Sequence, residues 1–435
     1  MKASYIKKTL LKTLDFMADD PTPFVRRPGV DFSRKRKCPL SYLLLCMLSM
    51  EAGSLSRELR RFFSSIKKPP VSKSAFCQQR EKLSEDAFPF LLSAVNRLIP
   101  FNKTFKGYHL LACDGSDVNI PPLKGCSDTY VFSNTEGIGY HQMHLNAVYD
   151  LLEQAYLDIL IQPRANYDER DAFLTFTERN PLKGKCIYIA DRGYFSQNVL
   201  ARLCSSKHSF VLRVKSPDGS NSFFNHFQLP DSNEFDITID FAFTRSRKNE
   251  YKQQPNRFIS IRKDRPFDVI PLDDKTTIFP VHVRLVKIAL PDGSHEFLVT
   301  DLPRNAFNSE TLKKLYHLRW GIETSFRYLK YNIALNAFHA VRRDFIMQEI
   351  FARIILYNLT MLLIRCVSPS KTHTKFERKI SVSDAIVTCR DFLTKHYTNN
   401  EVEALLLKYL TDIRPNRSFP RKKRSKRFTP LSNRV

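Results

Sequence analysis

The chain has 435 residues, 43% of them hydrophobic, which is enough to form cores and excludes a disordered protein. Its formal net charge of +25 exceeds what solubility requires and indicates a polyanionic partner, with nucleic acid as the first candidate and an anionic membrane as the second. Its nine scattered cysteines contain no C-x-x-C pair, which argues against a disulfide framework and a cysteine zinc site.

The first hundred residues have the pattern of a basic helical region, with 19 Lys or Arg against nine Asp or Glu. Apolar residues recur at helical spacing over four stretches, residues 2–16, 39–50, 54–65 and 72–83. Ser72 or Ser74 is expected to cap the last helix. A helix, a break at Pro69 and Pro70 and a basic helix fit a helix-turn-helix DNA reader. The alternative is a plain helical bundle with a solvated basic face.

From about Gly107 the sequence changes to the pattern of a mixed α/β sheet. The apolar runs 108–113 and 186–190 are predicted strands, and an aspartate directly follows each of them, Asp114 and Asp191. The other elements predicted in this part are strands at 144–152, 155–161 and 210–214 and helices at 168–178 and 197–203.

Residues 216–303 are predicted to be rich in β-strands, with a hairpin turn at 291–294. Helical periodicity then covers about 309–412. The most apolar run, 350–364, is interrupted by polar residues and is short for a bilayer, so we expect a buried core helix and no membrane partner. Because the first twenty residues carry charges throughout and lack an apolar signal region, we expect a cytoplasmic protein.

The helix predicted at the start of the region 309–412 carries four side chains of interest on one face. At about 100° per residue, Tyr316, Arg319, Glu323 and Lys330 form a narrow stripe beside a separate apolar face. An exposed helix with a simple Arg319–Glu323 ion pair would show the same spacing. An acid that holds a metal beside an aromatic and two cations also suits a phosphodiester substrate.

Asp114 and Asp191, on neighbouring strands, could bind a hard divalent cation together with Glu323, because Mg²⁺ takes oxygen ligands. Asp117 is a rival to Asp114, since it would be the ligand if the strand ended later. We prefer Asp114 because it directly follows the apolar run. Two other nearby acids are interpreted as loop residues, Asp128 and Glu136.

The spacing Tyr-x2-Arg-x3-Glu-x6-Lys resembles the signature of DDE transposases of the insertion-sequence-four group. Residues 112–116 and 189–194 resemble the family's blocks around its first two acids. The segments Ser72–Arg80 and Arg414–Arg421 also resemble members of this family. The resemblance therefore extends over most of the chain.

The resemblance implies an α/β fold in which an RNase H-like mixed-sheet catalytic core is interrupted by a β-rich insertion. A helical N-terminal DNA-binding region and a helical C-terminal region would flank this core. The expected parts are the DNA-binding region (1–100), the first part of the core (101–215), the β-rich insertion (216–303), the second part of the core with the Glu323 helix (304–345), the C-terminal helices (346–413) and a basic tail (414–435).

The resemblance also implies that Asp114, Asp191 and Glu323 hold two Mg²⁺ or Mn²⁺ ions and catalyse DNA cleavage and strand transfer by a cut-and-paste route. Three residues would contact the DNA strand near the cleaved phosphate, Tyr316, Arg319 and Lys330. The implied partners are the inverted repeats at the transposon ends and target DNA, bound by a homodimer in the DNA complex.

Two questions stay open in the sequence. Relatives that form a DNA hairpin can stack a flipped base on an aromatic residue of the insertion, often Trp. The only Trp here is Trp320, in the signature helix, and Phe279, Phe297 or Tyr251 could serve instead. A DNA-binding relative without catalysis and a nuclease that does not join strands are alternative functions, although the intact acids argue against decay.

Overall fold

The computed structural model describes residues 1–132, 139–219, 222–369 and 376–413. Three features of the sequence interpretation lie outside the described residues, namely Glu136, the basic tail 414–435 and the Arg414–Arg421 segment within it. In the described part, a large mixed sheet is accompanied by helices from both ends of the chain, which confirms the predicted α/β class.

Five helices occupy the N-terminal hundred residues. They are α1 (Ala3–Asp19), α2 (Leu40–Ser49), α3 (Leu55–Ser65), α4 (Lys73–Arg80) and α5 (Ala87–Asn96). The Ser72 hydroxyl accepts a hydrogen bond from the N–H of Ala75 at 3.2 Å, so Ser72 rather than Ser74 caps α4. The sequence prediction did not name α5, although its buried residues, Ala87, Phe88, Leu91, Leu92 and Val95, recur at helical spacing.

One sheet contains ten strands. In chain order they are β1 (Tyr108–Ile120), β2 (Tyr130–Val131), β3 (Tyr140–Asp150), β4 (Ala155–Pro163), β5 (Lys185–Ala190), β6 (Ser209–Val214), β7 (Phe235–Thr244), β8 (Phe258–Ser260), β9 (Ile278–Ala289) and β10 (His295–Thr300). The helices between these strands are α6 (Glu169–Arg179), α7 (Gln197–Cys204) and α8 (Asn249–Lys252). The spatial order is β2-β3-β1-β5-β6-β10-β9-β7-β8, with β4 paired to the free side of β3.

The centre of the sheet is parallel and fully buried. Strand β5 pairs in parallel with β1 and with β6, while the pairs further out, apart from β7–β8, are antiparallel. The runs 186–190 and 210–212 are buried at every residue, as expected of central strands that are covered on both faces. Their continuous apolar character is therefore the reason that they form the middle of the sheet.

The strands of the predicted β-rich insertion belong to this same sheet. Strand β10 pairs with β6 from Phe297 opposite Val214 to Thr300 opposite Val211, and β9 and β7 extend the sheet from there. The turn between β9 and β10 forms where the sequence predicts it, with Gly293 at φ +81°. Backbone hydrogen bonds thus join this segment to the core, and the boundaries 216 and 303 stay predictions.

The chain after β10 is mainly helical. Its helices are α9 (Ser309–Leu318), α10 (Trp320–Arg327), α11 (Arg343–Ile364), α12 (Val382–Thr394) and α13 (Asn399–Lys408), with a small strand pair formed by β11 (Arg378–Ile380) and β12 (Leu410–Asp412). By length and composition alone α11 could cross a membrane, but 89% of its apolar window is buried inside the protein. This burial supports the predicted core helix.

Helices from the two ends of the chain share one hydrophobic core. Helix α11 packs against α1, α2 and α5, and all four contribute buried residues to the same cluster. The fully buried Arg80 on α4 donates from Nη1 to Glu349 of α11 at 2.9 Å and from Nη2 to the Phe345 carbonyl at 2.7 Å. Residues 1–100 are therefore packed into the body of the protein, while their role in DNA binding stays a prediction.

Candidate active site

Asp114 and Asp191 lie next to each other in the register of the sheet. The last paired residues of the parallel strands β1 and β5 are Cys113 and Ala190. Asp114 directly follows the first of these residues, and Asp191 directly follows the second. The sequence interpretation that the first strand ends at Asp114 is wrong, because β1 continues to Ile120 through its pairing with β3. Beyond Cys113, β5 no longer covers the edge of β1, and the candidate site lies where that edge becomes free.

Glu323 on α10 joins these acids through Arg319. Arg319 donates from Nη2 to Oε1 of Glu323 at 2.8 Å, and its Nη1 lies 3.8 Å from Oδ2 of Asp114. The Arg319 side chain is only 4% exposed, so solvent screens these charges weakly. A single guanidinium thus provides the counter-charge for acids from two different elements.

Tyr316 and Arg213 contact the other aspartate. The Tyr316 hydroxyl donates to Oδ1 of Asp191 at 3.3 Å, and Nη1 of Arg213 lies 3.8 Å from the same oxygen. Arg213 Nη1 also lies 4.0 Å from Oε1 of Glu296, on the neighbouring strand β10. Arg213 and Glu296 were not predicted as site residues. A charged residue within an otherwise apolar strand is the sequence signal that marks Arg213.

The predicted helix is present, but the signature residues fall on consecutive helical segments rather than on one regular α-helix. The helix tightens at Arg319, whose N–H bonds to the carbonyl three residues earlier, and it ends in a π-helical turn at Tyr328–Asn332. The Ile333 N–H closes that turn by bonding to the Tyr328 carbonyl at 2.9 Å. Gly321 allows close packing after the break, because a Cβ there would lie 3.0 Å from a methyl group of Leu151.

Burial makes the Asp114 carboxyl group a weaker acid than usual. Removal from water, helped by the negative charges of Glu323 and Glu169, raises the pKa of Asp114 to about 7 overall. The charge of Arg319 and a backbone hydrogen bond act in the opposite direction. Asp114 therefore changes its charge near neutral pH, and Arg319 favours its ionised form.

Lys330 extends the site along the π-helical turn. Burial lowers the pKa of its ammonium group, while the charges of Asp117 and Asp114 act against that decrease. Lys330, the fourth residue of the predicted stripe, thus interacts electrostatically with both aspartates. It does so although the helix changes to a π-helical turn at Tyr328–Asn332. The structure therefore brings Lys330 to the same region as the predicted acids.

The rival acids have other partners. Oδ1 of Asp117 lies 2.7 Å from Nδ1 of His144 and 3.4 Å from Nε of Arg164. Burial alone would raise the pKa of Asp117, but the hydrogen bond from His144 and the positive charges of His144, Arg164 and Lys330 lower it overall. Asp128 forms a 2.5 Å ion pair with Arg343, which fits its interpretation as a loop acid.

Sequence reasoning missed a carboxylate beside Asp114. Glu169, the first residue of α6, places Oε1 3.1 Å from Nε2 of the buried His144. A Cβ on Gly115 would lie 2.7 Å from this Glu169 oxygen and would collide with the His144 ring. A glycine inside a strand often marks such a close approach, but the predicted strand ends before Gly115, so the sequence assigns no such meaning to this glycine.

The described residues include no group of three His, Cys, Asp or Glu side chains that is arranged to hold a metal ion. The chemistry of the donor set nevertheless fits a hard divalent cation, because Asp114, Asp191 and Glu323 supply carboxylate oxygens from three elements. Arg319, which lies between two of them, provides positive charge to this set.

The aromatic candidates for base stacking lie in different environments. Trp320 is 41% exposed and lies beside Arg319, whose guanidinium carbon is 5.3 Å from the ring centroid. Phe297 is buried in the sheet, and Tyr251 packs edge-on against Phe258. None of these positions selects a base-stacking residue.

By fold and site, the chain is an α/β protein with carboxylates gathered at the end of a central strand and cations on the helix above them. Residues 106–359 match the family described as the transposase DDE domain, which covers more than half of the chain. The chain therefore belongs to the DDE transposase family.

A solved structure to which the chain is similar is that of the piggyBac transposase synaptic complex with hairpin DNA. It is 12% identical in sequence, the alignment covers 90% of this chain and 80% of the other, and the TM-score is 0.47. No curated protein matches the chain.

Proposed function

We propose that this transposase cleaves DNA at the ends of an insertion sequence of the insertion-sequence-four group and joins those ends to target DNA by a cut-and-paste route. The charge arrangement around Arg319 carries the proposal. One buried guanidinium contacts Asp114 and Glu323, while Tyr316 holds Asp191 beside them. Acids from three elements that converge on buried cations are suited to phosphoryl transfer, in which positioning and charge stabilisation supply most of the catalysis.

Asp114, Asp191 and Glu323 would hold two Mg²⁺ or Mn²⁺ ions. When bound, such ions activate the attacking oxygen and stabilise the leaving oxygen of a displaced phosphodiester. Asp114 must lose its proton to serve as a ligand, and Arg319 favours that state because its charge lowers the pKa of Asp114.

The cations of the site would orient the DNA strand. The buried Nε of Arg319 has no hydrogen-bond partner among the described residues, and a phosphate oxygen would satisfy this donor. Lys330 would contact the same strand as a point charge. Tyr316 would keep Asp191 in position through its hydroxyl. The partners would be the inverted repeats of the transposon ends and target DNA, bound by a homodimer because two ends must be paired.

Single alanine substitutions of Asp114, Asp191 and Glu323 test this proposal. The substrate is the DNA that flanks the gene, with its terminal inverted repeats, incubated with Mg²⁺ or Mn²⁺. We expect cleavage to fall by at least about 10³-fold with DNA binding retained, because each acid belongs to one catalytic unit. Glu310→Ala, at an exposed acid on α9, is the matched control and should cleave normally. Normal cleavage by the three variants would refute the assignment of the acids.

A DNA-binding relative without catalysis is the second candidate function. The observation in its favour is the net charge of +25, which DNA binding explains without catalysis. This candidate predicts binding of the inverted repeats without nicking in Mg²⁺ or Mn²⁺. A strand-transfer assay with precut ends then distinguishes a transposase from a nuclease that does not join strands.

A further inference from the structure

A large groove adjoins the candidate active site on the side of Asp191. Its cavity volume is about 880 Å³, and it lies between the N-terminal ends of α6 and α7 and the segment 260–268 that follows β8. Arg192, the residue after Asp191, lines it directly. We call this cavity the Arg192 groove. Nothing in the catalytic proposal uses it, although the backbone N–H of Arg192 donates to Oδ1 of Asp191 at 2.7 Å.

The Arg192 groove carries unbalanced positive charge. Arg192, Lys215 and Arg265 line it, are exposed, and form no ion pair with any described residue. Arg170 also lines it and donates from Nε to the Gly193 carbonyl at 3.1 Å. Cations that no protein carboxylate neutralises are available to an anionic ligand.

Two of the three aspartates that line the groove accept hydrogen bonds from its walls. Asp168 accepts hydrogen bonds from the N–H groups of Arg170 and Asp171 at the start of α6, at 2.8 and 3.1 Å. Asp268 accepts from the side-chain amide of Asn198 at 2.8 Å. Asp171 is the remaining carboxylate in the lining. The lining contains five Lys or Arg side chains against these three aspartates, so the groove keeps an excess of positive charge.

One wall of the groove is aromatic. Phe195 is half-buried and lines the cavity together with Phe223, and their ring centroids are 5.0 Å apart. Cations and aromatic side chains in one groove are the combination with which proteins bind unpaired nucleic-acid strands, through backbone phosphates and base stacking. A duplex keeps its bases stacked in pairs and offers no free base face to Phe195.

We infer that the Arg192 groove binds a single unpaired DNA strand that continues from the phosphate held at the three acids. Arg192, Lys215 and Arg265 contact its phosphates, and Phe195 stacks against one of its bases. This inference rests on the proposed function for the identity of the ligand as DNA. It adds a binding site outside the signature residues and assigns an unpaired segment of the substrate to it.

Binding of a fluorescent oligothymidylate of about eight nucleotides to the full chain, without divalent metal, tests this inference. The double variant Arg192→Glu/Arg265→Glu should bind about tenfold more weakly. A plot of log K against log salt concentration for this variant should be less steep by about 0.7 for each phosphate that the variant no longer neutralises. Phe195→Leu should weaken binding several-fold and leave the salt dependence unchanged, because stacking releases no counterions.

Arg179→Glu is the matched control, since Arg179 is exposed at the other end of α6 and does not line the groove. It should bind like the unchanged protein, and unfolding curves of all variants show that each is folded. If the double variant binds with unchanged affinity and salt slope, or Arg179→Glu weakens binding equally, the inference is overturned. Because the assay needs no catalysis, Asp191→Ala should still bind, so the cleavage proposal and the groove can fail separately.

Discussion

Arg319 determines the charge balance of the candidate site. Its buried guanidinium contacts Asp114 and Glu323, and its charge lowers the pKa of an aspartate that burial alone would keep protonated further above neutrality. Lysine could not replace it without loss, because the single nitrogen of an ammonium group cannot occupy the positions from which separate guanidinium nitrogens face the two acids. An arginine is thus required at this position both to balance the charges of the acids in the free protein and to bind the phosphate of the substrate.

Gly115 is the residue whose replacement should reveal the packing around Glu169. A methyl group there would collide with the His144 ring and press against Glu169, so Gly115→Ala should lower the free energy of unfolding by about 1–3 kcal/mol. Urea denaturation measures the change. Gly193→Ala is the control, since its Cβ would lie at an ordinary 3.6 Å from Glu169 and should cost less than about 0.5 kcal/mol. Equal stability of the two variants would contradict the close approach.

The sequence allowed the three acids to be predicted but not their neighbours. Asp114 and Asp191 follow apolar runs, and Glu323 belongs to a spaced motif, so each has a local signal. Glu169 and His144 have none, because their approach depends on the register that places Asp117 opposite His144 and on the packing of α6. Contacts between side chains of different elements are fixed by tertiary packing, which periodicity does not encode.

At the level of elements, periodicity predicted the strands around the site and four of the five N-terminal helices. It did not name α5, and it did not show where a helix changes its hydrogen bonding, as at Arg319 and Tyr328–Asn332. An ideal period describes a regular helix, so it does not show a local change in helical hydrogen bonding.

The cap of α4 provides a test at this level. Ser72→Ala removes the hydroxyl that accepts the Ala75 N–H, so it should reduce the free energy of unfolding by about 1 kcal/mol. Ser74→Ala is the matched control two residues later, since Ser74 is exposed and its hydroxyl does not cap the helix; its effect should stay within about 0.5 kcal/mol. A larger loss for Ser74→Ala would show that the cap is assigned to the wrong serine.

The whole molecule is held together by contacts that join distant parts of the chain. The sheet continues from the candidate core through β10 into the predicted insertion, and the N-terminal helices share their core with α11. The sequence predicts each of these parts but not the contacts that join them. Nothing local marks the pairing of β6 with β10, or of Arg80 with Glu349, which is 269 residues away.

The Arg80–Glu349 pair should make the stability of the whole chain depend on acid pH. Burial would raise the pKa of Glu349, but Arg80, His339 and Arg353 surround it and lower the pKa from 4.5 to about 2. The folded state therefore binds this proton less readily than the unfolded state. The stabilisation is fully present above about pH 4.5 and is lost as the pH falls toward 2.

Glu349→Gln should accordingly destabilise the protein by about 3–5 kcal/mol at pH 7, because it leaves Arg80 buried without its counter-charge. The difference from the unchanged protein should shrink below about pH 4.5, where Glu349 itself begins to lose its charge. Denaturation series at several pH values measure both effects. Glu403→Gln, at an exposed residue of α13, is the control and should change neither. A constant difference at all pH values would contradict the role of the Glu349 charge.

The long separation between Arg80 and Glu349 also has a consequence for biosynthesis. A ribosome that adds about 5–20 residues per second needs roughly 13 to 54 s to pass from the first partner to the second. During that time the apolar faces of α1, α2 and α5 have left the ribosome, while the helix that covers them has not yet been made. The nascent N-terminal helices must therefore wait, exposed to chaperones and to neighbouring chains, until α11 emerges.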